Sequence, residues 1–194
     1  MKKVAVLLFD LFSNYELSVA LSVLAQGGKE FDVFCARETA ASEEGLAVKR
    51  SKALGDARAE EYDALLIPGC MDPREIIGDE AVLGFLRQFD LKTHVIASIS
   101  STPLLLLRAG LLEGKRYMAG VVKEELLEEG FTLEEMAGMT DVTGLERKDG
   151  RAKVCMEDGN LITAVGSGFI EFGIAFGKKL GLDFEPAWYG QDWK

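Results

Sequence analysis

The residues best placed to do chemistry stand just past the apolar runs. The stretch 95–99 reads as a buried strand, and it passes with almost no loop into Ser100, Ser101, Thr102 and Pro103. A proline tolerates the first helical turn, where its missing N–H costs nothing, so a helix is expected to start there. A strand that turns directly into a helix pushes its corner residue up over the sheet edge. The amides that follow can then face an anion or oxyanion. Ser100 occupies that corner and is a candidate catalytic residue. The competing reading is a tight, well-packed turn of small residues. A serine hydroxyl needs a base, and the chain has one histidine, His94. Six residues at about 3.3 Å each put His94 roughly 20 Å away, at the other end of the strand. It is read as a surface residue that cannot serve Ser100.

The elements that must hold this corner follow from the pattern along the chain. Apolar runs predict strands over 4–9, 31–36, 64–67, 95–99 and 161–165, with a short edge strand at 46–48. Helices are expected over 14–26, 79–89, 103–110, 123–129 and 168–180. The first has Ser13 or Asn14 as cap and Gly27-Gly28 as stop. A hairpin of 143–148 with 153–157 is predicted around Asp149-Gly150. Strands alternating with helices call for a parallel sheet between two helical layers. In such sheets ligands bind outside the carboxyl ends of strands. That singles out Asp10, Cys35, Cys70 and Ser100.

Composition narrows the function. The 194 residues suffice for one buried core, and 1–194 is read as a single domain. The net charge of -10 argues against nucleic acid and against anionic membranes as partners. No apolar stretch reaches the roughly 18 residues of a spanning helix, and the apolar start is read as a first strand. Three widely spaced cysteines, Cys35, Cys70 and Cys155, fit free thiols in a reducing, cytoplasmic setting. No phosphate-binding glycine motif occurs, so no cofactor is expected. A metal site could be built only from carboxylates, and none is indicated. Cys35 and Cys155 are expected to pack, as are the methionines. Glu124, Glu125, Glu128 and Glu129 are read as one solvated helix face. The terminal Trp188, Tyr189 and Trp193 suggest docking on the body or on a partner subunit.

The run IASISSTPLLLLRAGLLEGKR resembles the ThiJ/PfpI superfamily, related to class I glutamine amidotransferases and including the human parkinsonism-associated protein. The family pattern there is A-x-I-C-x-G-P, a Leu-rich helix and G-L-L-x-G-K/R. Tyr62-Asp63-Ala64-Leu65-Leu66-Ile67-Pro68-Gly69-Cys70 resembles the family's D-x-L-x-x-P-G-G strand and turn. Asn14-Tyr15-Glu16 falls where the family carries an active-site glutamate, and Asn160-Leu161-Ile162-Thr163 resembles its closing strand. Four motifs in order cover essentially the whole chain. They imply a flavodoxin-like three-layer α/β/α sandwich with a mostly parallel sheet and a small β-hairpin, often homodimeric.

The departures bear on function. Ser100 stands in place of the family cysteine, Gly120 is the nearest counterpart of the family histidine, and Cys70 replaces the second glycine of the P-G-G turn. Of the family's active-site side chains, Glu16 remains. The resemblance thus places a cleft among Glu16, Gly69, Cys70, Ser100, Ser101 and Gly120. Two readings stay open. One is a small-molecule-binding, regulatory or stress-related protein without the family's cysteine chemistry. The other is a hydrolase, amidase or glyoxalase-like enzyme using Cys70 or a Glu16-assisted Ser100. A chaperone role is a third possibility that the family suggests and the residues do not address.

Overall fold

The structure is a computed structural model, and it describes residues 2–148 and 150–190. Thirteen strands lie among these residues. In chain order they are β1 (Lys3–Leu7), β2 (Phe31–Cys35), β3 (Thr39–Ala41), β4 (Ala47–Lys49), β5 (Lys52–Ala53), β6 (Tyr62–Ile67) and β7 (Val95–Ile99). There follow β8 (Tyr117–Met118), β9 (Met139–Thr140), β10 (Arg147–Lys148), β11 (Arg151–Ala152), β12 (Cys155–Asp158) and β13 (Leu161–Ala164). The α-helices are α1 (Ser18–Gln26), α2 (Glu80–Leu86), α3 (Pro103–Arg108), α4 (Lys123–Glu128) and α5 (Phe169–Lys179).

Seven strands form one sheet in the order β12-β13-β7-β6-β1-β2-β5. Every pairing in it is parallel except β12 with β13. The central strands are the ones the apolar runs predict: Val4–Leu7, Ala64–Ile67 and Ile96–Ile99 are buried throughout, as a sheet covered on both faces requires. Helix α1 packs against α5, and α2 against α3. This is the flavodoxin-like α/β arrangement expected from the sequence. Gly28, in the left-handed region at φ 61°, stops α1. Pro103 opens α3.

Several details differ from expectation. The predicted edge strand at 46–48 is β4, which pairs antiparallel with β3 in a separate ribbon; the edge of the large sheet is β5, beside Phe34 and Cys35. In this ribbon Ala40 and Val48 stand opposite each other and pack on the core, while the other residues of the two strands are exposed. The predicted 143–148/153–157 hairpin is also redistributed. Only β10 and β11 pair there, and the turn residue Asp149 lies outside the described residues. Residues 155–158 instead pair antiparallel with β13. Gly159, at φ 61°, makes that tight turn possible. The exchange adds a strand to the large sheet, whose inner strand is fully buried.

His94 is not a surface residue. It is 7% exposed; its Nδ1 accepts the Asp90 N–H at 3.1 Å and its Nε2 lies 3.2 Å from the Ala59 carbonyl. Its ring stands edge-on to Phe89. The turn 90–94 folds inward under the start of β7, which polar neighbours in sequence conceal. At the carboxyl end of the chain, the Tyr189 hydroxyl donates to Ser22 Oγ at 2.7 Å and accepts from Gln26, so it docks on α1. Trp188 is 73% exposed, and Trp193 lies outside the described residues.

Candidate active site

The site is built where β1, β6, β7 and β13 end. Ser100 follows β7 with φ 64°, one of two non-glycine residues at positive φ among those described. Such a backbone costs on the order of 1–3 kcal/mol and persists only where the surroundings enforce it. Those surroundings are visible. The Ser100 N–H donates to the Ala164 carbonyl at 2.8 Å, and the Ser100 carbonyl accepts the Gly120 N–H at 2.6 Å. The corner is therefore clamped from two neighbouring segments. Thr102 adds to it by donating to the Ile99 carbonyl and bonding Ser98 Oγ at 2.9 Å.

Glu16 comes to the corner on a 3₁₀ turn, Asn14–Leu17, that follows β1. The turn's free amides are capped from a distance: Glu44 accepts the N–H groups of Asn14 and Tyr15. Glu43, next to it, accepts from the Ser13 hydroxyl at 2.6 Å and from the Met71 N–H. Glu16 itself is 1% exposed. Its Oε2 accepts the Gly69 N–H at 2.6 Å and its Oε1 accepts the Tyr15 hydroxyl at 3.2 Å, and Ser100 Oγ crowds the same space beside Gly69.

Gly69 and Gly166 are glycines because of this cluster. A Cβ on Gly69 would overlap Ser100 Cβ and Glu16 Oε2; one on Gly166 would stand 2.6 Å from Glu16 Oε1 and 3.0 Å from the Tyr15 hydroxyl. Gly120 is tight in the same way, with a Cβ position 3.0 Å from Ser100 Cα. The segment that carries the counterpart of the family histidine thus lies down on the elbow through its backbone.

The electrostatics separate the two candidate nucleophiles. Burial pushes the Glu16 carboxyl up to about 7, although the donors from Gly69, Ser100 and Tyr15 pull it down. A carboxyl in that range can hold or release a proton near neutral pH. Cys70 is 4% exposed. Burial pushes its thiol up to about 11, and the charges of Glu43, Glu16 and Asp72 push the same way. Its Sγ lies 3.5 Å from Ser101 Oγ, which donates to the Cys70 carbonyl at 2.7 Å and accepts the Cys70 N–H at 3.4 Å. Cys70 and Ser101 therefore tie the turn after β6 to the elbow. Cys35 is buried, with its thiol also raised by burial, and Cys155 is pushed up to about 12.

The structure brings together Glu16, Gly69, Cys70, Ser100, Ser101 and Gly120, all named by the sequence. It leaves Asp10 outside, paired with Arg37 at 2.6 Å. Sequence reasoning missed Tyr15 and Gly166. The signal for Gly166 was its position just past β13, another strand end that enters the same crevice. Among the described residues no group of three His, Cys, Asp or Glu side chains could hold a metal ion, and no helix is long and apolar enough to cross a membrane.

An α/β sheet with a glutamate, a glycine turn and a strained elbow at its carboxyl edge defines a class of proteins. This chain belongs to the DJ-1/PfpI family, whose model matches residues 2–179. It is 34% identical over 125 residues to the uncharacterized protein SERP1413 of Staphylococcus epidermidis, covering 62% of this chain and 72% of that protein. It is 30% identical over 121 residues to protein/nucleic acid deglycase 2 of Escherichia coli, covering 61% and 70%. Among solved structures, the DJ-1 superfamily protein Atu0886 of Agrobacterium tumefaciens superposes with a TM-score of 0.77 at 20% identity, over 98% of this chain and 95% of that one. At that identity the likeness is one of fold.

Proposed function

We propose that the chain binds a small carbonyl-bearing compound over Ser100, with Glu16 as proton donor or acceptor, and without the family's cysteine chemistry. The observation that carries this reading is the contrast between the two sides of the cleft. Ser100 is held at the elbow in contact with a buried carboxyl that titrates near 7. Cys70 is packed away, its thiol pushed up by burial and by the charges of Glu43, Glu16 and Asp72. The amide of Cys70, at the family's second turn glycine, donates to Ser101. That weakens the case for an oxyanion hole and so for acyl transfer. A homodimer and a reducing, cytoplasmic setting belong to the same proposal, supported by family membership and by three free cysteines.

The second reading is turnover by Glu16-assisted Ser100, and the closeness of Ser100 Oγ and Glu16 around Gly69 and Gly166 favours it over a Cys70 route. The experiment that separates the readings uses methylglyoxal as probe. Binding predicts amide shifts at Ser100 and Gly69 in wild-type protein, lost in Ser100→Ala, with no conversion of methylglyoxal, glutamine or peptides. It also predicts that Ser100→Cys gains conversion, because a thiol beside Glu16 is a far better nucleophile than a hydroxyl. Turnover by the wild type that Ser100→Ala abolishes overturns the binding reading.

A further inference from the structure

We propose that Tyr15 is a positioning residue for Glu16: its hydroxyl donates to Oε1 and holds the carboxylate in place beside Ser100. This rests on Glu16 and Ser100 forming the ligand site, and extends it to a residue outside the motifs that mark that site.

The geometry is specific. Tyr15 is 45% exposed as a residue, yet its hydroxyl reaches inward to within 3.2 Å of Glu16 Oε1. The ring is set edge-on against Phe169, with centroids 5.5 Å apart and planes at 87°. Its backbone is held at both ends: Glu44 accepts the Tyr15 N–H, and the Tyr15 carbonyl accepts the Ser18 hydroxyl at 2.6 Å. Gly166 leaves the space the hydroxyl occupies, since a methyl group there would stand 3.0 Å from it. Burial, and then the neighbouring Glu16, push the Tyr15 hydroxyl up to about 12. It therefore stays protonated across the range in which Glu16 titrates.

The donors around Glu16 set what Tyr15 contributes. Oε2 takes the Gly69 N–H, which can only donate, and Oε1 takes the Tyr15 O–H. A neutral carboxyl must itself donate one O–H. The hydroxyls of Tyr15 and Ser100 can each donate or accept, so either can meet the neutral carboxyl. The carboxylate takes its donors from Gly69 and Tyr15, so removing the Tyr15 donor disfavours the charged form. The other titratable groups around the cluster have their own partners. Glu43 is taken by Ser13 and Met71, Glu44 by the amides of Asn14 and Tyr15, and Asp72 by Arg74. Cys70 stays a thiol.

The test is a carboxyl titration of ligand-free protein carrying ¹³C at the glutamate δ-carbons, in wild type and in Tyr15→Phe. Phenylalanine keeps the ring against Phe169 and removes only the donor. Loss of a hydrogen bond to the charged form should raise the Glu16 midpoint by about one pH unit above its wild-type value. A midpoint that stays put or falls overturns the proposal and leaves Tyr15 as a wall of the cleft. Because no ligand is present, this outcome is independent of the Ser100→Ala binding experiment, and either can fail alone.

Discussion

Replacing Glu16 with glutamine should make the protein more stable at alkaline pH and leave it nearly unchanged in acid. The folded protein carries this carboxyl at about 7 against an ordinary value of 4.5, because burial disfavours its charge. The folded state therefore keeps a proton that the unfolded chain gives up. That preference is fully present below pH 4.5, where both states are protonated, and is lost as pH rises through 7. At about 1.4 kcal/mol for each pH unit between the two values, the loss amounts to about 3 kcal/mol by pH 8.5. Glutamine is isosteric. Its oxygen can still accept the Gly69 N–H, and its amide nitrogen can donate to Ser100, so the cluster retains its shape. The assay is chemical denaturation of both proteins at several pH values from 4 to 8.5. The difference between them at each pH removes the contribution of every other titrating group. The expected result is a gap that widens in favour of Glu16→Gln by about 3 kcal/mol across the range. A gap that is flat, or that widens in favour of the wild type, would refute the reasoning. It would mean that the donors from Gly69, Tyr15 and Ser100 outweigh burial and hold Glu16 as a carboxylate.

Two further predictions concern the walls of the cleft. Gly69→Ala forces a methyl group into Ser100 Cβ and Glu16 Oε2; thermal melting should show a loss of about 3 kcal/mol, at the severe end for overpacking. A melting temperature unchanged from wild type would show that the elbow yields without strain. Cys70 should react with iodoacetamide at pH 7.5 no faster than Cys35, since both thiols are buried and raised. Rapid stoichiometric labelling of Cys70 would restore it as a nucleophile.

The sequence by itself determined the parallel sheet and the strand ends at which the candidate site lies. The runs at β1, β6 and β7 are apolar throughout, and such strands are stable only in a sheet covered on both faces, at whose carboxyl ends ligands bind. Pro103 directly after the small residues 100–102 marked the corner. The motifs also placed Glu16 and Cys70 at the same edge. Short elements were not legible. The strand 155–158 carries no signal that distinguishes the 143–148 segment from β13 as its partner, because two residues of local pairing weigh little beside a seat on a seven-stranded sheet. His94 looked exposed because its neighbours are polar, whereas its two ring nitrogens are satisfied by backbone from Asp90 and Ala59.

Only the tertiary structure decided the chemistry of the site. Burial depends on what covers a residue, and residues far apart in sequence cover Glu16: Gly69, Ser100 and Gly166. Burial pushes the Glu16 carboxyl up to about 7 and the Cys70 thiol up to about 11. The left-handed backbone at Ser100 is likewise imposed from outside, by Ala164 and Gly120. The sequence supplied a serine at a corner. The fold supplied the buried carboxyl beside it, because desolvation and hydrogen-bond direction are properties of the packed cluster rather than of any one residue in it.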